Sequence, residues 1–392
     1  MRLPIGAAGK VLSVILLAAS IESNATGIST INSTVRALGM GDAFTALSAD
    51  SSALFYNPAG LVKVRGINVK FFSIRAGASG LEAYNKISGL NNSGNFSSTL
   101  QELYGEHVWT GVGGEVAIFA PMFGFIAYDH ADALVQIDNP VYPEINTDVI
   151  NDYGYVAGMG FPLSPFMHIG ANLKYIKRSG ARLPWGASFI ADLDPNAIVS
   201  QLTSWGRGYG LDLGVNFNLP TPILSATLSA VWKNVGDMNF KSTDPNTNIP
   251  SEKSNMTLGA AVRFDTPVLS ITPSLDVHDL NRTDLQLTRK INLGLEVGLP
   301  LVDIRGGFHD GYYTYGLGIN MGLLQLDAAT YGVELGEYPG QIEDRRYVVE
   351  FTMEIGVGWF GVDGGGSDAS GDSPGSKSSN SIWGGRRLKQ RR

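Results

Sequence analysis

The sequence predicts an all-β fold: a transmembrane, antiparallel up-and-down β-barrel of about 14 strands, its lumen plugged by the N-terminal segment. Three observations point there. Forty-nine of the 392 residues are Gly and only 17% are charged, where soluble proteins average near 7% Gly and about 25% charge. Long stretches alternate apolar and polar residues with period two. The links between those stretches alternate long and short. The composition also excludes several classes. With no Cys, disulfide frameworks, thiolate zinc sites and cysteine nucleophiles are ruled out. A formal net charge of −7 argues against nucleic acid as a partner. Hydrophobic content of 44% is too high for a disordered chain.

The first element is a targeting segment. Arg2 and Lys10 precede the apolar run from Val11 to Ala19, and Ser23-Asn24-Ala25 offers small residues for cleavage. Residues 1–25 are therefore expected to be a secretory signal peptide. The run is short of the roughly 20 residues a spanning helix needs. Residues 26–64 are expected to form the plug and 65–360 the barrel. Residues 361–392 read as a Gly/Ser-rich linker and a basic disordered tail, following an aromatic end at Trp359-Phe360.

The strands carry the main signal. Tyr209, Leu211, Leu213, Val215, Phe217 and Leu219 alternate with Gly210, Asp212, Gly214, Asn216 and Asn218. The pattern recurs over residues 224–233, 255–264, 291–299 and 347–359. Such alternation puts one face of a strand in an apolar medium and the other in a polar one. Strands of this length exceed the usual 5–6 residues of a globular sheet and match the 9–11 tilted residues that cross a bilayer. Short links are expected near Pro121, at 162–165, 220–222 and 265–267, at Pro300 and at Gly322. Long ones are expected at 78–112, 139–147, 181–207, 236–253, 279–288 and 334–345, with a shorter one at 310–313. A membrane barrel sorts its loops by parity in this way, and a soluble sandwich has no reason to.

The polar parity then faces the lumen. It carries Lys174, Arg178, Asp212, Lys233, Arg263, Asp276, His278, Glu296, Asp303, Arg305, His309, Asp327, Glu350 and Glu354. On the lipid face each Lys or Arg would cost about 2–4 kcal/mol near the midplane. An interior pairing network is the plainest reading, and an ion-selective lining the alternative. Fourteen strands enclose a backbone radius of roughly 14 Å, wide enough for a plug.

A motif in the plug carries a family resemblance. Arg36-Ala37-Leu38-Gly39-Met40-Gly41-Asp42-Ala43-Phe44 is followed by Leu54-Phe55-Tyr56-Asn57-Pro58-Ala59-Gly60-Leu61. This resembles the N-terminal hatch of FadL-like outer-membrane barrels, the family of long-chain fatty acid and hydrocarbon transporters. It is also similar to the related PorV-type and TraF-like barrel proteins. A weaker likeness lies in Ile304-Arg305-Gly306-Gly307 with Tyr315-Gly316-Leu317-Gly318, a late hairpin pattern. The resemblance implies a 14-stranded barrel with its hatch inside the lumen. The residues fit that role: Gly39, Gly41 and Gly60 permit turns and close approach, and Asn57-Pro58 initiates a turn. Asp42 lies within the motif, and Phe44, Phe55 and Tyr56 supply apolar anchors. These aromatics either line a path for an apolar substrate or pack the plug.

The long link at 181–207 contains Leu183, Trp185, Phe189, Ile198, Leu202 and Trp205. Asp194-Pro195 resembles a helix cap, so a short helix with Ile198 and Leu202 on one face is expected. An outer loop this apolar is unusual against water. It reads as a capture groove, a cover for the barrel mouth, or a partner surface.

No enzyme, cofactor or metal site is expected. Gly77-Ala78-Ser79-Gly80 lacks nucleophile-elbow spacing, and Gly316-Leu317-Gly318 precedes no helix. Asp129-His130-Ala131-Asp132 and Asp276-Val277-His278-Asp279 read as strand-end polar clusters. The expected function is passive uptake of hydrophobic small molecules across the outer membrane, gated by the hatch. The alternative is a PorV-like or TraF-like accessory that docks secretion or conjugal-transfer proteins. Expected partners are outer-membrane lipids and an apolar solute, with secretion-system proteins under the alternative.

Overall fold

A computed structural model describes residues 28, 30–80, 104–138, 144–186, 204–220, 224–242, 249–266, 268–283, 285–336 and 338–357. The predicted signal peptide, the C-terminal tail and Trp359-Phe360 lie outside the described residues. The strands are β1 (Ile67–Ala78), β2 (His107–Ala120), β3 (Phe123–Asp138), β4 (Glu144–Pro162), β5 (Met167–Gly186), β6 (Trp205–Pro220), β7 (Leu224–Lys233), β8 (Lys241–Ser242), β9 (Asn255–Asp265), β10 (Ser270–Val277), β11 (Ile291–Gly298), β12 (Val302–His309), β13 (Tyr312–Asn320), β14 (Leu324–Glu334) and β15 (Glu343–Val357). Each long strand pairs antiparallel with its neighbours, and β1 pairs with β15 to close the cylinder. Setting aside β8, a two-residue strand beside β6, fourteen strands form the wall, as the sequence predicts.

Burial follows the predicted parity. Leu258, Leu317, Val349 and Phe351 stand exposed on the outer face, while Thr257, Asp276, Arg305 and Glu350 are buried. An apolar exterior around a polar interior makes this a membrane-spanning barrel. β1 breaks the simple alternation. Its register shifts between Lys70 and Phe72, so Asn68 and Lys70 face inward before the bulge and Ser73 and Arg75 after it. A bulge inserts an extra residue and resets the parity.

Short turns join the strands at the end where β1 begins and β15 ends, and the longer links lie at the other end. The wall is uneven in height. β4 and β5 have 19 and 20 residues, whereas β10, β11 and β12 have 8 each. β4 begins at Glu144 and β5 runs to Gly186, past their predicted ends, which shortens the links expected at 139–147 and 181–207. The weak hairpin likeness is a real hairpin: Ile304 pairs with Leu317, and Gly306 with Tyr315.

Candidate functional site

Residues 30–64 lie inside the cylinder and are built from three short turns, each closed by its own cap. Thr34 caps the helix Val35–Gly39, accepting from Ala37 N at 3.3 Å. Asp50 caps the one-turn helix Ser51–Leu54, accepting from Ser52 N at 2.8 Å. Asn57 caps Pro58–Lys63, accepting from Ala59 N at 3.0 Å. Pro58, at the first helical position, has no N–H to satisfy. The Asn57 amide also donates to Asn216 Oδ1 on β6 at 2.6 Å and to Thr45 O at 3.3 Å. One side chain therefore shapes the turn and ties it to the wall.

Glycines set how closely segment and wall approach. A β carbon on Gly41, whose φ is +63°, would stand 2.3 Å from Leu293 O. One on Gly39 would meet Gly316 Cα at 2.9 Å, and one on Gly60 would meet Ser48 O at 2.0 Å. The wall contributes glycines of its own. β carbons on Gly170, Gly294 and Gly307 would reach the backbone of Ala59, Met40 and Gly41 at 2.4–2.5 Å. Inward-facing glycine is thus the seat of the N-terminal segment. The sequence placed Gly294 on the polar parity, but the seat itself was not anticipated.

Polar tethers complete the seating. The Asp276 carboxylate on β10 accepts from Phe44 N at 3.0 Å and Thr45 N at 2.9 Å. Thr314 on β13 accepts from Gly41 N at 3.0 Å and donates to Gly39 O at 3.2 Å. Arg36 forks onto Glu296 with bonds of 2.9 and 2.8 Å. Glu296 also accepts from Arg305 at 2.8 Å, and Arg305 reaches on to Asp303 and Asp327. Charge-assisted forks of this kind are stronger than neutral hydrogen bonds. Of the predicted lumen charges, Glu296, Arg305, Asp303 and Asp327 therefore form a pairing network, which also holds the segment. Arg36 opens the N-terminal motif, although nothing in the sequence gives its partner Glu296, and Thr314 lies in no motif that marks it.

The predicted hatch residues form one buried body. Asp42, at φ +58°, accepts from Ser33 and from the Tyr56 hydroxyl. Phe44 is 1% exposed and packs edge-on against Tyr56 at 5.4 Å. Phe55 meets Tyr128 of β3 edge-on at 5.2 Å. These side chains join Leu54 and Leu61 in an apolar cluster with Phe119, Ile126, Val156 and Ile176 from the inner face of the wall. A second apolar group, Trp109, Leu134 and Ile150, packs with Ile28 and Ile31. Between the two groups run Arg75, His130, Asp132 and Asp152. His130 contacts Asn32 at 3.1 Å. A cavity there, lined in part by Phe55, Arg75 and His130, has room for about one water molecule.

Other predicted residues fall elsewhere. Trp205 opens β6 instead of lying in a loop. Leu183 and Trp185 belong to β5, with side chains outside the described set. Phe189, Ile198 and Leu202 lie outside the described residues. Asp129 is exposed on the outer face while His130 and Asp132 point inward, because neighbours on a strand alternate. Among the described residues no group of three or more acidic or imidazole side chains is placed to hold a metal.

Lys63 gives the segment a measurable pH response. Its ammonium donates to Thr227 Oγ1 at 3.1 Å, and burial pushes its pKa down to about 8 from the ordinary 10.5. Between those two values the unfolded chain binds a proton that the folded chain has shed, so stability rises with pH across that window. The expected gain across that window is about 3 kcal/mol. Protease resistance of residues 30–64 should increase from pH 7 to pH 10 in the native chain and stay flat in Lys63→Met. Equal slopes in both would refute the assignment.

No family model and no curated protein matches this chain. Solved structures similar to it include a "TodX deltaS2S3 mutant monoaromatic hydrocarbon channel" (9% identity, 82% of this chain and 97% of that one, TM-score 0.49). The Pseudomonas putida toluene transporter TodX is similar at 10% identity over 81% and 96% of the two chains, TM-score 0.45. The Ralstonia pickettii toluene transporter TbuX is similar at 12% identity over 82% and 97%, TM-score 0.45.

Proposed function

We propose that this chain is an outer-membrane barrel for passive uptake of hydrophobic small molecules, of the fatty-acid or hydrocarbon class, with residues 26–64 acting as its hatch. The apolar seam carries this reading. A water-filled pore has a polar inner face, yet here Phe119, Ile126, Tyr128, Val156 and Ile176 face the lumen and meet Phe44, Leu54 and Phe55. An apolar solute can replace such contacts without leaving a polar group unsatisfied, which a water-lined path does not offer. The hatch is joined to the wall by separable tethers at Asp276, Thr314, Glu296 and Asn216. A shift of the hatch that broke a few of them would open the seam from the long-loop end toward the short turns.

In this proposal Gly39, Gly41 and Gly60 let the hatch sit close. Asp42, Asn57 and Pro58 hold its shape, and Phe44, Phe55 and Tyr56 border the path. Leu183, Trp185, Phe189, Ile198, Leu202 and Trp205 would serve capture at the outer end. Residues 1–25 direct export. The test is uptake of radiolabelled oleate and of toluene into liposomes containing the purified, folded barrel. Uptake above protein-free liposomes is expected for at least one of the two. Folded protein that passes neither solute, and instead retains secretion components in a pull-down, would move the chain to the docking class.

A further inference from the structure

The outer face of β4, β5 and β6 carries two aromatic levels. At the short-turn end Phe161, Phe166 and Phe217 are exposed. Higher up, Tyr155, Tyr175 and Tyr209 are direct cross-strand partners, with ring centroids 6.3 and 5.3 Å apart. Tyr209 is 73% exposed. From Phe166 to Tyr175 is nine residues (175 − 166), which matches the 9–11 residues a tilted strand spends in the hydrocarbon. Between them lie apolar Ile169, Ala171 and Leu173. Aromatic belts sit at the membrane–water interfaces, so the tyrosine row marks the outward one.

One step beyond that row the outward residues are cationic. Lys177 pairs directly with Arg207, and Arg207 with Lys241 on β8. Direct cross-strand partners share a face about 4.5–5.5 Å apart, and like charges so placed repel. Among the described residues none of the three has an acidic partner. Asp129 lies in the same row but two strands from Lys177, with Tyr153 between them. Trp205 gathers two of the cations over one ring, with Lys177 Nζ 4.0 Å and Arg207 Cζ 4.8 Å from its centroid. Repulsion held in place at headgroup depth calls for an anion.

We propose that Lys177, Arg207 and Lys241 form a binding site for the phosphate of an anionic lipid headgroup in the outward leaflet, with the tyrosine row seating its apolar portion and Trp205 holding Lys177 and Arg207 from the water side. The occupant is a lipid because the cations continue directly from the lipid-facing surface and sit at the depth of its headgroups. The inference rests on the barrel's placement in the membrane and is independent of what the lumen carries.

The test uses the full barrel in detergent, titrated with phosphatidylglycerol and separately with zwitterionic phosphatidylcholine, and bound lipid is counted by native mass spectrometry. Phosphatidylglycerol should be retained and phosphatidylcholine should not. Each cation lost should weaken retention about fivefold, and Lys177→Gln/Arg207→Gln/Lys241→Gln together about a hundredfold. Arg207→Lys should retain lipid as the native chain does. Heat-modifiable gel migration reports folding. Should the triple variant not fold, Lys241→Gln alone, in a two-residue strand, decides by its fivefold loss. Undiminished retention in a folded variant, or equal retention of both lipids, would overturn the site. Displacement by equimolar inorganic phosphate would reassign it to free phosphate and overturn the lipid assignment.

Discussion

Gly41→Val is expected to unseat residues 30–64 while leaving the barrel closed. The added β carbon meets Leu293 O at 2.3 Å and Phe308 O at 2.6 Å. Both are backbone atoms in paired strands, so neither can rotate away. The left-handed φ of +63° adds strain that a β-branched residue tolerates poorly. Overpacking and strain each cost about 1–3 kcal/mol, and the bond from Gly41 N to Thr314 is lost with them. Trypsin has target residues at Arg36 and Lys63 in this segment. It should cut the variant there and spare the native chain, while heat-modifiable migration stays normal in both. Planar-bilayer recordings should show open-pore steps only in the variant. Native-like resistance to trypsin would show that the close approach at Gly41 does not matter.

The second large effect is expected at Asp276. Alanine there strips the acceptor from two buried amides, Phe44 N and Thr45 N. A buried donor left unsatisfied costs about 1–3 kcal/mol, so together the two weaken the seating by at least about 2 kcal/mol. Hydrogen exchange at Phe44 and Thr45 should accelerate at least about thirtyfold. Exchange on β3 and β4 should not change. Asp276→Asn keeps an acceptor oxygen and should fall between alanine and the native chain. Unchanged exchange in Asp276→Ala would remove this carboxylate from the set of tethers.

Much of the barrel is legible in the sequence because two solvents impose period two. Where lipid faces one side, as along β6, β9, β11 and β15, the alternation is clean. It fails for two physical reasons elsewhere. At β1 the bulge after Lys70 changes parity in mid-strand. At the tops of β3 to β5 both faces leave the apolar layer, so Asp129, Asn151 and Ser179 stand on the outer side and the pattern disappears. The residues of the N-terminal motif, from Gly39 to Gly60, are buried together inside the barrel. Their wall partners were not legible as such: Asp276, Glu296 and Thr314 lie 231–275 residues from the atoms they hold. Asp276 and Glu296 could be placed on the lumen parity, but what they bind could not. The inward glycines are readable in the sequence, since glycine repeated on a polar parity leaves room for a second backbone. The cation row across β5, β6 and β8 was hidden for another reason. Lys177, Arg207 and Lys241 become neighbours only through strand register.

The central claim is that solute passes when the hatch moves along an apolar seam. The chain has no Cys, so Asn32→Cys and His130→Cys, whose native side chains meet at 3.1 Å, can be joined by a short reducible bis-maleimide. In liposomes the cross-linked barrel should take up no oleate or toluene, and reductant should restore uptake to the level of the same double variant left unlinked. Equal uptake before and after reduction would contradict a moving hatch.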